Sequence, residues 1–152
     1  MLSARLTLAA AALCAGITTV AAKDIPPGDV KIVDGKLSQA VSDAPASAAD
    51  GRKFFADRKL GNCLACHANA DMSEQLFHGE VGPPLDGVAE RWTPDQLRAI
   101  VVNSKAVFGP QTVMPGFYSL EVGKDVAKDF QGKTILTAAQ VESIVAYLAT
   151  LK

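Results

Sequence analysis

From Thr137 to Leu151 apolar residues recur at three- and four-position intervals: Val141, Ile144, Val145, Leu148 and Leu151 form one stripe along a helix. Thr137 and Gln140 supply a capping box at its start, and at 1.5 Å per residue the helix would run about 22 Å. A stripe of this kind is ordinarily core, expected to pack on the first helix of the chain and on one edge of whatever fills the interior. A second helix is predicted from Thr93. Pro94 suits the first helical position, Gln96 completes another Thr-x-x-Gln box, and Leu97, Ile100 and Val101 share a face. A further helix is predicted over Ser47 to Lys59, with Ser47 or Asp50 as cap and Phe54 and Phe55 as apolar anchors. No stretch alternates long enough to argue for a sheet, and neither an internal repeat nor a low-complexity run occurs. The pattern therefore predicts an all-α fold of a few helices and long loops.

Upstream the pattern changes twice. Met1 to Ala22 has the layout of a secretory signal: Arg5 in the n-region, an apolar run from Leu6 to Val20, and Val20-Ala21-Ala22 as a small-residue cleavage site. The run is short against the roughly 20 residues that cross a bilayer core, and no second one follows, so an exported protein without a membrane anchor is expected, starting at Lys23. Cys14 is preceded by Leu13 rather than a small residue, which favours its removal with the leader over lipid attachment. Lys23 to Ala46 holds Pro26, Pro27, Gly28 and Pro45 among small and polar residues, and is expected to be an arm or wrap rather than core. Its apolar cluster, Val30, Ile32 and Val33, is expected to lie on the domain rather than to add a strand or bind a partner. Residues 47–152 then form one domain, small enough that an apolar cofactor at its centre would matter greatly to its core.

Charge and cysteine content narrow the class. Losing Arg5 with the leader changes 15 Lys+Arg to 14 against 16 Asp+Glu, a formal charge of −2. Nothing resembles the basic stripe of a nucleic-acid binder. Once Cys14 is gone, only Cys63 and Cys66 remain, in Cys63-Leu64-Ala65-Cys66-His67. This is the C-x-x-C-H spacing of c-type haem attachment: two thiols on one short turn reach the two porphyrin vinyl groups, and the following imidazole of His67 lies under the iron as its proximal ligand. A zinc site would need about four ligands, and His78 is the one other Cys or His left. A thioredoxin-type pair would need a βαβ setting, which is not there.

The sixth iron position decides between carrying electrons and handling ligands. Met114, Met72 and His78 are the side chains to weigh. Met114 sits in Val113-Met114-Pro115-Gly116-Phe117 after a Phe108-Gly109-Pro110 turn, and a Pro/Gly-bracketed loop can hold a thioether still against iron. Methionine opposite histidine raises the reduction potential; the alternative is Met114 as core filler. His78, eleven residues after His67, is expected in a loop and exposed to solvent. Met72 lies closer still to His67, from where the opposite face is hard to reach. Arg91 and Trp92 are candidate donors to a haem propionate, the alternative being packing at the domain edge.

Val81-Gly82-Pro83-Pro84-Leu85-Asp86-Gly87-Val88 resembles the Gly-Pro-x-Leu-x-Gly segment of class I cytochromes c, in which the proline carbonyl accepts the ligand histidine's N–H; that likeness assigns the role to Pro83. Taken with Gly61 to His67, Met114-Pro115 and Phe130-Gln131-Gly132-Lys133-Thr134-Ile135-Leu136, the chain resembles the SoxX family over nearly all of its mature domain. The haem motifs alone indicate only class I cytochromes c; the 130–136 stretch carries the finer likeness. SoxX proteins are the monohaem subunits of SoxAX complexes of thiosulfate-oxidising bacteria. The resemblance implies a class I cytochrome c fold, one covalent haem c on Cys63 and Cys66 with His67 and Met114 as axial ligands, and a periplasmic heterodimer with a SoxA-type subunit. It also implies that oxidative coupling of thiosulfate to a carrier-protein cysteine belongs to the partner, and that electrons pass to a diffusible cytochrome. The competing expectations are a free-standing cytochrome for another pathway, and a haem enzyme or sensor with an open iron position. An exposed apolar patch near the haem-edge loops is expected if a stable partner docks there.

Overall fold

The computed structural model describes residues 22–121 and 125–152, and the expected leader, save Ala22, lies outside them. Four α-helices appear among the described residues: α1 (Ala48–Ala56), α2 (Val88–Arg91), α3 (Pro94–Phe108) and α4 (Ala138–Leu148). Single 3-10 turns occur at Pro27–Asp29, Cys63–Ala65, Ala70–Met72 and Lys128–Phe130. No strand is present among the described residues, only two isolated bridges.

The predicted caps are the ones used. Ser47 accepts the Asp50 N–H at the start of α1, and both Thr-x-x-Gln boxes close, Thr93 with Gln96 and Thr137 with Gln140. α1 stops at Ala56, three residues before the predicted end, because the Asp57 carboxylate turns to accept the Lys59 N–H at 2.8 Å, a local bond that competes with the helix. α4 ends at Leu148, and Leu151 still packs inward from a final turn. α4 lies across α1 and touches α3. The α1–α4 crossing is close: a Cβ at Gly51 would collide with the Ser143 carbonyl. Phe55 and Tyr147 meet there edge to face, centroids 5.6 Å apart.

The segment from Lys23 to Ala46 departs from the expectation that it stays out of the core. Leu37 and Val41 are buried, and Val30 and Ile32 pack against the core. The cause lies in α3 and α4. Glu142 of α4, itself buried, accepts the Val41 N–H at 2.8 Å and pairs with Arg98 of α3 at 3.0 Å, while Arg98 donates to the Leu37 carbonyl. Ile25 is held by the Tyr118 hydroxyl, which donates to its carbonyl at 2.7 Å. Of the apolar cluster, only Val33 stands exposed, where the chain turns tightly through Asp34 and Gly35.

α3 is not continuous either. Asn103 takes φ −153°, ψ 87°, breaking the helix one turn before its end. The predicted face survives on the near side of the break: Leu97 and Val101 are buried, and Ile100 faces the central cavity.

Candidate cofactor site

Between the helices lies a cavity of about 690 Å³, lined mostly by apolar side chains from α1, α3, α4 and the connecting loops. All seven predicted site residues border it: Cys63, Cys66, His67, Pro83, Arg91, Trp92 and Met114. Phe55, Ile144 and Leu148 of the α1–α4 pair close one wall, so the stripe read from the last helix serves both the core and this cavity.

The floor is built locally. The Cys63–Ala65 turn is followed by His67, whose N–H donates to the Cys63 carbonyl at 3.0 Å. Residues 82–85 run alongside: the Gly82 N–H bonds the Cys66 carbonyl at 2.8 Å and the Leu85 N–H that of Ala68 at 2.9 Å. This lays Gly82 flat against the His67 imidazole, so closely that a Cβ there would overlap the ring. His67 Nδ1 is 2.8 Å from the Pro83 carbonyl oxygen. A carbonyl only accepts, so Nδ1 carries a proton, and in the neutral ring Nε2 is the nitrogen left with a lone pair, the form in which an imidazole ligates a metal. The Arg91 guanidinium steadies the same loop by donating to the carbonyls of Asp86, at 2.6 Å, and Pro84, at 2.8 Å. Trp92 stands edge-on to Phe108, centroids 5.8 Å apart, at another part of the rim.

Cys63 is only partly covered as a residue, yet its apolar surroundings push the thiol up to about 12 by burial. A sulfur in that setting favours an uncharged state, thiol or thioether, over the thiolate a zinc site requires. Among the described residues no three His, Cys, Asp or Glu side chains converge on one point. A planar apolar macrocycle fits what is present: an apolar hollow, two sulfurs on one turn, a free imidazole nitrogen, and a thioether bordering the same space.

His78 was expected in solvent and is instead half-buried and fully engaged. Its Nδ1 accepts the Asn69 N–H at 3.2 Å, and Nε2 lies 3.0 Å from the Met72 carbonyl oxygen, to which it donates. It does not border the cavity; nor does Met72, which is fully buried in the core. Sequence reasoning missed what supports this segment. Buried Asn69, two residues after His67, donates its amide to the Tyr147 hydroxyl at 2.8 Å; that hydroxyl donates to Asp71 at 2.7 Å, and Arg52 binds Asp71 at 2.8 Å and Glu74 at 2.9 Å. The Tyr147 hydroxyl and Arg52 hold Asp71 below the usual carboxylate range, while burial and then Asp71 raise the Tyr147 phenol. No short-range signal announces such a network; the clue in retrospect is a tyrosine inside the apolar stripe of α4.

At the cavity mouth, Val81, Phe108 and Val113 are exposed although they also line the hollow. Leu76 and Phe77 are exposed on the loop after the attachment turn.

The Cytochrome c family model matches residues 48–152. Among solved structures, SoxXA from P. pantotrophus is 37% identical over 86% of this chain and 99% of that chain, with a TM-score of 0.78. The c-type cytochrome SorU from Sinorhizobium meliloti is 27% identical over 68% of this chain and 88% of that one, at a TM-score of 0.45. Ferric cytochrome c-550 from Paracoccus versutus is 23% identical over 70% and 98%, at 0.37. Comparison with the curated proteins gave no match.

Proposed function

Because this chain belongs to the cytochrome c family, and within it to the SoxX cytochromes with one covalently bound haem c, we propose that it is the electron-transfer subunit of a SoxAX-type complex in the periplasm. Cys63 and Cys66 would hold the haem as thioethers, and His67 through Nε2 and Met114 through its sulfur would bind its iron. When bound, the haem supplies a one-electron couple. The protein's part is to fix that couple. The Pro83 carbonyl orients His67 and raises its basicity, Met114 would supply the second protein donor, and the apolar walls keep water from the cavity. Arg91, with three N–H groups left after its two carbonyl bonds, and Trp92 serve the propionate edge.

With both mature cysteines committed to attachment, this chain offers no thiol for sulfur chemistry. Oxidative coupling of thiosulfate to a carrier-protein cysteine, the L-cysteine S-thiosulfotransferase step, therefore falls to a SoxA-type partner, and this subunit takes up the electrons and passes them to a diffusible cytochrome. The observation that carries the reading is the 37% identity sustained over 99% of the SoxXA chain. The exposed apolar residues at the mouth, Val81, Phe108 and Val113, supply the desolvated centre that a stable heterodimer needs. No described helix is long and apolar enough to cross a membrane, and residues 1–22 act as the export signal.

Native co-purification tests it. A haem-bearing heterodimer with thiosulfate-oxidising activity that disappears when this gene is deleted is the expected result. Recovery as a monomer only, with thiosulfate oxidation intact in the deletion strain, would overturn the subunit reading in favour of a free-standing carrier.

A further inference from the structure

The loop that brings Met114 to the cavity lies between Pro110 and Pro115 and has no helix or strand of its own. Pro115 has no N–H to offer, and the backbone beside the methionine is held at a carbonyl. The Ser104 hydroxyl donates to the Met114 carbonyl at 2.6 Å, and Ser104 is completely buried. It follows directly on Asn103, where α3 breaks. At that break the carbonyls of Val101 and Val102 accept the N–H groups of Phe117, at 3.2 Å, and Tyr118, at 3.1 Å. One turn on, the Lys105 ammonium donates to the Thr112 carbonyl. Residues 101–105 thus grip both flanks of the loop, and within that grip the Ser104 bond alone reaches Met114 itself.

Serine is an expensive choice for this position on any other account. Alanine is the better helix former, and a hydroxyl buried among apolar groups costs free energy unless it is bonded. A helical serine commonly bonds back to its own preceding turn; Ser104 instead donates across to the loop.

We propose that Ser104 is a positioning residue for the methionine ligand: its hydroxyl fixes the backbone at Met114 and so sets how readily the thioether yields its place to a competing donor. The proposal rests on Met114 being the axial ligand. Without the hydroxyl, the Phe117 and Tyr118 anchors still hold the loop to α3, so the fold survives while Met114 gains freedom.

The experiment titrates imidazole into the ferric holoprotein, followed by absorbance, for wild type, Ser104→Ala, Met114→Ala and Val141→Ala. Losing one buried hydrogen bond that favours the closed loop is expected to raise imidazole affinity about five- to tenfold in Ser104→Ala, with a weakened methionine–iron band. Val141→Ala, which loosens the core away from the loop, is expected to lower the melting temperature and leave imidazole affinity unchanged. A folded Ser104→Ala protein with wild-type imidazole affinity overturns the proposal. Where alanine gives no holoprotein, Ser104→Cys, similar in size and a weaker donor, is read by the same criterion. If wild type already binds imidazole as readily as Met114→Ala, it is the assignment of the ligand that fails rather than the role of Ser104.

Discussion

One hydrogen bond gives His67 its chemical character: with Nδ1–H committed to Pro83, the other nitrogen of the neutral ring is the one left to donate a lone pair, on a residue that borders the cavity. The C-x-x-C-H spacing and the Gly-Pro-x-Leu-x-Gly likeness were legible because each lies within a few residues of chain. The Asn69–Tyr147–Asp71 network was not, since its members are up to 78 positions apart and meet only once α4 has crossed α1. His78 was misread for a different reason: its partners Asn69 and Met72 are near in sequence, but nothing in their types announces a histidine bridging a donor and an acceptor. Tyr147→Phe should strand the buried Asn69 amide and cost about 1–3 kcal/mol. The acid limb of stability should change with it. Asp71 sits below its ordinary value of 3.8 in the fold, so it contributes stability that is complete above that value and is lost as pH falls through the lower folded one. Tyr147→Phe removes the largest cause of that lowering, and urea unfolding between pH 5 and 2.5, values chosen as roughly bracketing the carboxylate range, should show a shallower acid loss than wild type.

Helices announced themselves through caps and stripes, which are short-range signals; α1 was overrun where the Asp57 side chain captured the backbone, and α4 where its last residues tighten into a turn. The break at Asn103 had no comparable signal. Asparagine is a weak helix former, yet what settles the break is the set of loop N–H groups waiting at Val101 and Val102, fixed by tertiary structure. The α1–α4 crossing gives the sharpest test at this scale. Replacing Gly51 by Ala gains about 1 kcal/mol of helix propensity, but its methyl meets the Ser143 backbone, which cannot rotate away, and overpacking of that kind costs about 1–3 kcal/mol. Gly51→Ala should therefore lower the thermal midpoint despite the better propensity; an increase, measured by circular dichroism, would mean that the crossing is looser than described.

Across the whole molecule, a buried ion pair joins what the sequence divided. Arg98 and Glu142 keep 12% and 7% of their side-chain surface exposed, and through Val41 and Leu37 they bind the N-terminal segment to α3 and α4. Pro, Gly and small residues gave that segment the look of an arm; two well-spaced apolar residues, Leu37 and Val41, were too few for a pattern, although each has a place in the core. Glu142→Ala leaves the Val41 N–H without its acceptor and the Arg98 guanidinium with only the Leu37 carbonyl and the Asp95 carboxylate at 3.3 Å, which should cost about 1–3 kcal/mol and open residues 23–46 to limited proteolysis. The double variant Arg98→Met, Glu142→Leu should recover part of the loss, because removing both charges also removes their desolvation cost while the Val41 N–H stays without its acceptor.

The fold brings these scales together at one place, a cavity with an imidazole presented on its floor and a methionine loop latched at its side. The most direct measurement is the near-infrared absorption of the ferric holoprotein beside its Met114→Ala variant. A methionine–iron charge-transfer band in the wild type, lost in the variant, is the result predicted; a wild-type protein without that band, high-spin and open to added ligands, would contradict the account.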